Sequence, residues 1–259
     1  MSKKQQRRNS RRNRNSQEFL EFALHNNGQA RLDGPHKKTW SAHDLKTIKP
    51  LTDNQHDMFH AWHNSDHVCA YGTAGTGKTY LAMYLALNEV FCASTQQERI
   101  IIVRSVVPTR DMGFLPGDIE EKVSVYETPY KDICSELVGR PSTYDDMKAA
   151  GVVEFMPTSF IRGLTWDNAI VIVDEGQNMS FHEINSVMTR LGENSRLIFT
   201  GDLAQTDLRA SETGMGQYLK IIEAMQSFGT IEFNRRDIVR GSVVKDWIIA
   251  SEEYATTAA

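Results

Sequence analysis

With 259 residues, 40% hydrophobic and 24% charged, the chain has the composition of a globular protein with enough apolar mass for a sizeable core, which excludes disorder of the whole. Three cysteines, Cys69, Cys92 and Cys134, are an odd number without paired spacing, and they argue against a disulfide framework and a zinc site alike. The net charge of −4 conceals an asymmetry, because residues 1–17 hold seven Lys and Arg and no acid, leaving the rest of the chain at −11.

That basic arm, which includes Lys3, Arg7, Arg11 and Arg14, is interleaved with Gln, Asn and Ser and has no apolar residue after Met1. It lacks the burial that would offset its ordering entropy, so it is predicted to be disordered. It suits sequence-independent contact with nucleic-acid phosphates through counterion release, or a solubilising role. No apolar stretch follows it, as a secretory leader requires, and no run approaches the roughly 18 apolar residues of a membrane span. The expectation is a soluble, cytoplasmic protein without membrane contact. Residues 18–50 read as a polar lead-in with a short amphipathic piece at 19–24.

The remainder, 51–259, reads as one domain. Short apolar runs alternate there with amphipathic segments, the pattern of βα units on a parallel sheet. Strands are expected over 68–71, 100–103, 153–155, 170–173, 196–200 and 230–233, and helices over 78–91, 181–191, 218–228 and 242–254. The stretch 111–150 is rich in charge and punctuated by Pro116, Pro129 and Pro141, and it reads as an insertion on one sheet edge. No internal repeat is present.

The segment Gly72-Thr73-Ala74-Gly75-Thr76-Gly77-Lys78-Thr79 matches GxxxxGK[ST], follows an apolar strand and opens a helix, which is the context this motif needs. Its glycines let the backbone N–H groups wrap phosphates at distances a Cβ would obstruct, and the helix N-terminus adds its positive end. Lys78 is placed to bridge the β- and γ-phosphates of ATP, and the Thr79 hydroxyl to ligate Mg2+. The strand at 170–173 then runs into Asp174 and Glu175, two adjacent acids that an apolar strand has no structural reason to carry. Asp174 suits the magnesium shell and Glu175 a general base for the attacking water. A third apolar strand ends in Thr200-Gly201-Asp202-Leu203-Ala204-Gln205, where the Gln205 amide can donate and accept at the γ-phosphate or the water. Arg235, Arg236 and Arg240 are candidate transition-state cations, and spacing alone does not choose among them.

Together these segments resemble the PhoH family of P-loop ATPases, whose core is similar to the first motor domain of superfamily 1 helicases. The resemblance covers about 54–254 and rests on AYGTAGTGKTYLA, GFLPGDIEEK, FIRGLTWDNAIVIVDEGQN, TRLG, TGDLAQTDL and DIVRG. It implies a three-layer α/β/α P-loop fold with a mainly parallel, RecA-like sheet. It also implies ATP hydrolysis, association with single-stranded RNA or DNA, and roles in phosphate starvation in bacteria and bacteriophages. By the same resemblance Gln55 reads adenine through its amide, Asp202 and Gln205 occupy the sensor positions, and Arg240 falls where such helicases place a γ-phosphate arginine. The family's usual DEAQ is here DEGQ, and Gly176 is expected to change backbone stiffness only. A superfamily 1 helicase uses a second motor domain, whereas this chain ends soon after Arg240, so a homo-oligomer, a hexamer in the family, is expected to close the site. An ATP-gated binding or scaffold protein is the competing function. A small-molecule kinase suits Asp174 and Glu175 less well, because those residues favour activation of water.

Overall fold

The computed structural model describes residues 40–106, 119–202, 205–208 and 212–258. The basic arm, the 19–24 piece and residues 113–118 of the GFLPGD segment lie outside the described residues. Six strands, β1 (His67–Gly72), β2 (Arg99–Arg104), β3 (Val153–Pro157), β4 (Ala169–Asp174), β5 (Arg196–Gly201) and β6 (Phe228–Phe233), form one sheet in the order β3-β2-β4-β5-β1-β6. Every pairing is parallel. The helices are α1 (Asp53–Asn64), α2 (Lys78–Val90), α3 (Ile119–Val138), α4 (Thr143–Ala149), α5 (Phe181–Met188), α6 (Met215–Ile222) and α7 (Ser242–Ala258).

A sheet covered on both faces needs strands that are apolar on both sides. Accordingly β4 is buried at all six positions. Successive residues of its neighbours alternate between two cores. Ile100, Ile102, Ile170, Ile172 and Ile198 join side chains of α1 to α4 on one face. Ile101, Val103, Val171, Val173, Leu197 and Phe199 pack with α5 and α6 on the other. This is the expected three-layer α/β/α arrangement. Helix α2 lies deep in the first layer, with Leu81 to Leu87 buried throughout. Trp40 and Leu45, from the lead-in, are buried in the same core, Trp40 stacking on Phe91 with ring centroids 6.4 Å apart.

Three sequence expectations need correction. Helix α1 has no counterpart among them, because its buried face consists of only Gln55, Met58 and Trp62 amid His, Asp and Asn. The helix expected over 218–228 spans Met215–Ile222, and Phe228 opens β6. The stretch read as an edge insertion is, from 119 on, the helical crossover from β2 to the edge strand β3, and it belongs to the core. Tyr130, Cys134 and Leu137 are buried at helical spacing in α3, although Pro129 sits inside the helix. Proline removes an intrahelical hydrogen bond and resembles a breaker in sequence. Here the burial of its neighbours outweighs that loss.

Strand β5, lying between β1 and β4, decides where the chemistry sits. The carboxyl ends of these three central strands come together at one end of the sheet, the usual ligand position in open α/β folds. The P-loop follows β1, Asp174 and Glu175 end β4, and Thr200 to Asp202 end β5 between them.

Candidate nucleotide site

The P-loop turns back immediately after β1. Gly72 has φ +111°, and a Cβ there would collide with the carbonyl of Phe233 on β6, which also accepts the Thr73 N–H at 3.0 Å. Gly75 and Gly77 have positive φ as well, and Gly77 caps α2 in the left-handed conformation. The first turn of α2 therefore points its N–H groups into the loop. Lys78 folds over it, and its ammonium donates to the carbonyls of Gly72 and Thr73, each at 2.7 Å. Burial pulls the Lys78 pKa below its ordinary value, opposed by the nearby charges of Asp202, Glu175 and Asp174. A half-buried cation in this loop suits an anionic ligand.

Asp174 is the centre of a hydroxyl cluster. Its Oδ1 accepts from Thr79 Oγ1 at 2.8 Å and Thr200 Oγ1 at 2.6 Å, and its Oδ2 from the Tyr130 hydroxyl at 2.7 Å. The Thr79 and Asp174 oxygens are hard donors at the mouth of a phosphate cradle, so the site fits Mg2+, which takes few protein ligands and completes its octahedron with water and phosphate. Among the described residues no cluster of three or more His, Cys, Asp or Glu is placed to hold a metal.

Glu175 has φ +55°, an uncommon conformation for a non-glycine residue, which costs backbone energy. Burial pushes its pKa up, and the negative Asp174 next to it adds to the shift, while Gln177, Arg104 and Lys78 oppose it. Gln177 holds the carboxylate, donating from Nε2 to Glu175 Oε2 at 2.5 Å. Its own Oε1 accepts the Asp202 N–H at 2.8 Å, so one amide ties the end of β4 to the end of β5.

The other expected residues lie around the same cavity of ≈ 780 Å³, lined by Gln55, Ala74 to Thr79, Asp174, Glu175, Asp202, Gln205 and Arg240. Gln205 is exposed at its rim, its N–H donating to Asp202 O. Arg240 is exposed as well, beside Gly75, whose carbonyl accepts the Val239 N–H at 3.1 Å. Arg235 is engaged elsewhere, in ion pairs with Glu252 and Glu253 of α7. Gln55 is buried, donating from Nε2 to Thr76 O at 2.9 Å and accepting the Leu51 N–H at 2.8 Å. One N–H and one lone pair of its amide remain, the complement that a bidentate adenine contact uses.

The sequence expectations assign no role to three residues of this site. Tyr130 carries no signal, since it lies in the stretch read as an insertion. Gln177 stands inside the DEGQ segment, two residues from Glu175, with no part assigned to it. Arg104 ends an apolar strand as Asp174 does, which is the clue the sequence offers; it pairs in register with Asp174 across β2 and β4 and lies close to Tyr130, Asp174 and Glu175.

A model of the family described as PhoH-like protein matches residues 47–252. The chain belongs to the PhoH-like family. A PhoH-like protein of Bacillus subtilis is 34% identical over 210 residues, covering 80% of this chain and 65% of the relative. A PhoH-like protein of Synechocystis is 34% identical over 212 residues, 81% of this chain and 64% of the relative. Protein PhoH of Escherichia coli K12 is 33% identical over 208 residues, covering 78% and 58%. The chain thus spans about three fifths of the length of these relatives. Among solved structures, the large terminase of a thermophilic bacteriophage superposes with a TM-score of 0.48 at 12% identity over 76% of this chain and 49% of that one, a likeness too slight to bear on function.

Gly176 is expected from the sequence to differ from an alanine in backbone stiffness only, and the packing around it corrects that expectation. A Cβ at Gly176 would collide with the Phe199 ring, which stacks on Tyr218 at 4.2 Å. The absent methyl makes room for that aromatic pair. Gly176→Ala is therefore expected to destabilise the fold by roughly 1–3 kcal/mol through overpacking, read by urea unfolding, with Phe199→Leu restoring part of the loss. Equal stability of Gly176→Ala and the parent chain would contradict the steric account.

Proposed function

We propose that this protein is a magnesium-dependent ATPase whose turnover is coupled to single-stranded nucleic acid, RNA in preference to DNA. The observation that carries the proposal is the meeting of three elements in one cavity: a P-loop with a half-buried lysine, a Thr79–Asp174 oxygen pair, and a partly desolvated Glu175 aimed by Gln177. A bound Mg2+ would supply charge neutralisation at the β- and γ-phosphate oxygens. The loop N–H groups and Lys78 bind the phosphates, and Thr79 and Asp174 would hold the cation. Glu175 accepts the proton of the attacking water. A general base works best with its pKa near the working pH, the direction in which burial and Asp174 move this carboxyl. Gln205 orients the water or reads the γ-phosphate, Gln55 and the loop receive adenine and ribose, and Asp202, anchored through Gln177, links the sensor segment to the base.

Arg240 follows the segment that binds the P-loop carbonyl, and its exposure leaves it free to serve its own site or a neighbour's. Assembly into a homo-oligomer, hexameric as in the family resemblance, is further supported by α7, where Val243 and Trp247 are 80% and 74% exposed. The same surface favours a second reading, an ATP-gated scaffold with slow hydrolysis. No helix among the described residues is long and apolar enough to cross a membrane, in keeping with a cytoplasmic site of action. Phosphate release by the full chain, with and without single-stranded RNA at two salt concentrations, tests the coupling. Stimulation that weakens with salt supports it, and turnover indifferent to RNA shifts the weight to the scaffold.

Tyr130 gives a test of the metal side of this reading. Its hydroxyl orients Asp174, and outer-shell partners of metal ligands are typically worth 10–100-fold in affinity or activity. Tyr130→Phe is expected to raise the Mg2+ concentration for half-maximal turnover roughly tenfold, while leaving nucleotide binding without metal unchanged. A Mg2+ titration identical to that of the parent would remove Tyr130 from the site.

A further inference from the structure

We propose that His56 and His60, on the outer face of α1, form a chelate for a divalent transition-metal ion, separate from the magnesium position at Asp174. Helix α1 buries Gln55, Met58 and Trp62 against the sheet. Its opposite stripe presents His56, His60 and His63 at i, i+4 and i+7, all exposed. Side chains four residues apart on a helix face one another. The imidazole centroids of His56 and His60 stand 4.4 Å apart with the rings tilted 60°. Two metal–nitrogen bonds of about 2.0–2.1 Å at tetrahedral or octahedral angles need nitrogens near 3 Å apart, which rings at this spacing reach by rotation about their own side-chain bonds.

A carboxylate stands nearby: Asp57 Oδ1 lies 3.8 Å from His56 Nδ1, beyond hydrogen-bonding distance, and adds negative charge beside the pair. No third His, Cys, Asp or Glu among the described residues completes a cluster, so water fills the remaining positions. Imidazole nitrogen suits Zn2+, Ni2+ and Cu2+ and is a poor ligand for Mg2+, which takes oxygen. The two metal positions on this chain therefore select different ions. The chelate also spans the turn that follows Gln55, so the metal stiffens the helix that holds Thr76 O in the P-loop.

The experiment is a calorimetric titration of the full chain, free of any polyhistidine tag, with Zn2+ in millimolar Mg2+. The proposal expects one Zn2+ site that survives excess Mg2+. His56→Gln and His60→Gln should each weaken it on the order of 100-fold, the loss expected when a two-point attachment becomes single, and His63→Gln should leave it in place. Being exposed, these side chains are replaceable without unfolding, and circular dichroism checks that. Cu2+ bound in its stead should show splitting from two nitrogens in its electron paramagnetic resonance spectrum, reduced to one in either single variant. Zn2+ binding that is absent, that Mg2+ displaces, or that persists undiminished in His56→Gln and His60→Gln would overturn the proposal.

Discussion

Replacing Lys78 by alanine is expected to lower kcat/KM for ATP by at least 10²–10³-fold, about 3 kcal/mol or more, the effect of removing one preorganised donor from a charge-developing oxygen. The reason lies in the geometry: the ammonium is held over the loop by two backbone carbonyls, half-buried in the wall of the cavity. Its burial is unfavourable without an anion, so the fold should lose little when the charge goes. Differential scanning of both proteins checks this. The parent should show a nucleotide-dependent rise in Tm and Lys78→Ala should show none, while their Tm values without nucleotide remain close. An alanine variant that keeps the nucleotide-dependent rise would mean that the loop binds phosphate without its lysine.

Replacing Glu175 by glutamine is expected to reduce turnover by about 10²–10⁴-fold, the range for a general base, with nucleotide binding intact. Two pH signatures should accompany the loss. In the parent, activity should rise with pH through a value above the ordinary carboxylate range, because burial and then Asp174 hold the proton on Glu175. The second concerns stability. The native carboxyl keeps its proton to higher pH than the unfolded one, so stability falls as pH rises from the ordinary carboxylate value through the raised native one, and the penalty persists above it. Glu175→Gln carries no such penalty, so at neutral pH its Tm should exceed that of the parent. Inactivity with increased stability is the pattern of a residue kept for chemistry at a cost to the fold. A drop in Tm would instead assign Glu175 a structural role.

The strands and the P-loop were legible because they rest on local patterns: unbroken apolar runs, a glycine-rich turn, and acids where a buried strand ends. What escaped depends on partners distant in sequence. Nothing in the run at 196–200 states that β5 inserts between β1 and β4, yet that insertion brings Thr200 within 2.6 Å of Asp174. Helix α3 hid behind charge and Pro129, and with it Tyr130, whose partner is 44 residues away. Gly176 reads as a neutral change until Phe199, on another strand, is found in the space of its missing methyl. Among the arginines, spacing left three alternatives; Arg235 is set apart by its ion pairs with Glu252 and Glu253, and Arg240 by its place on the cavity rim.

The most direct test of the central claim is phosphate release from ATP and Mg2+ by the parent chain, Lys78→Ala and Glu175→Gln, measured side by side with nucleotide binding. The account predicts turnover in the parent alone, binding without turnover in Glu175→Gln, and loss of both in Lys78→Ala. Turnover of the Glu175→Gln protein at the parental rate would contradict it.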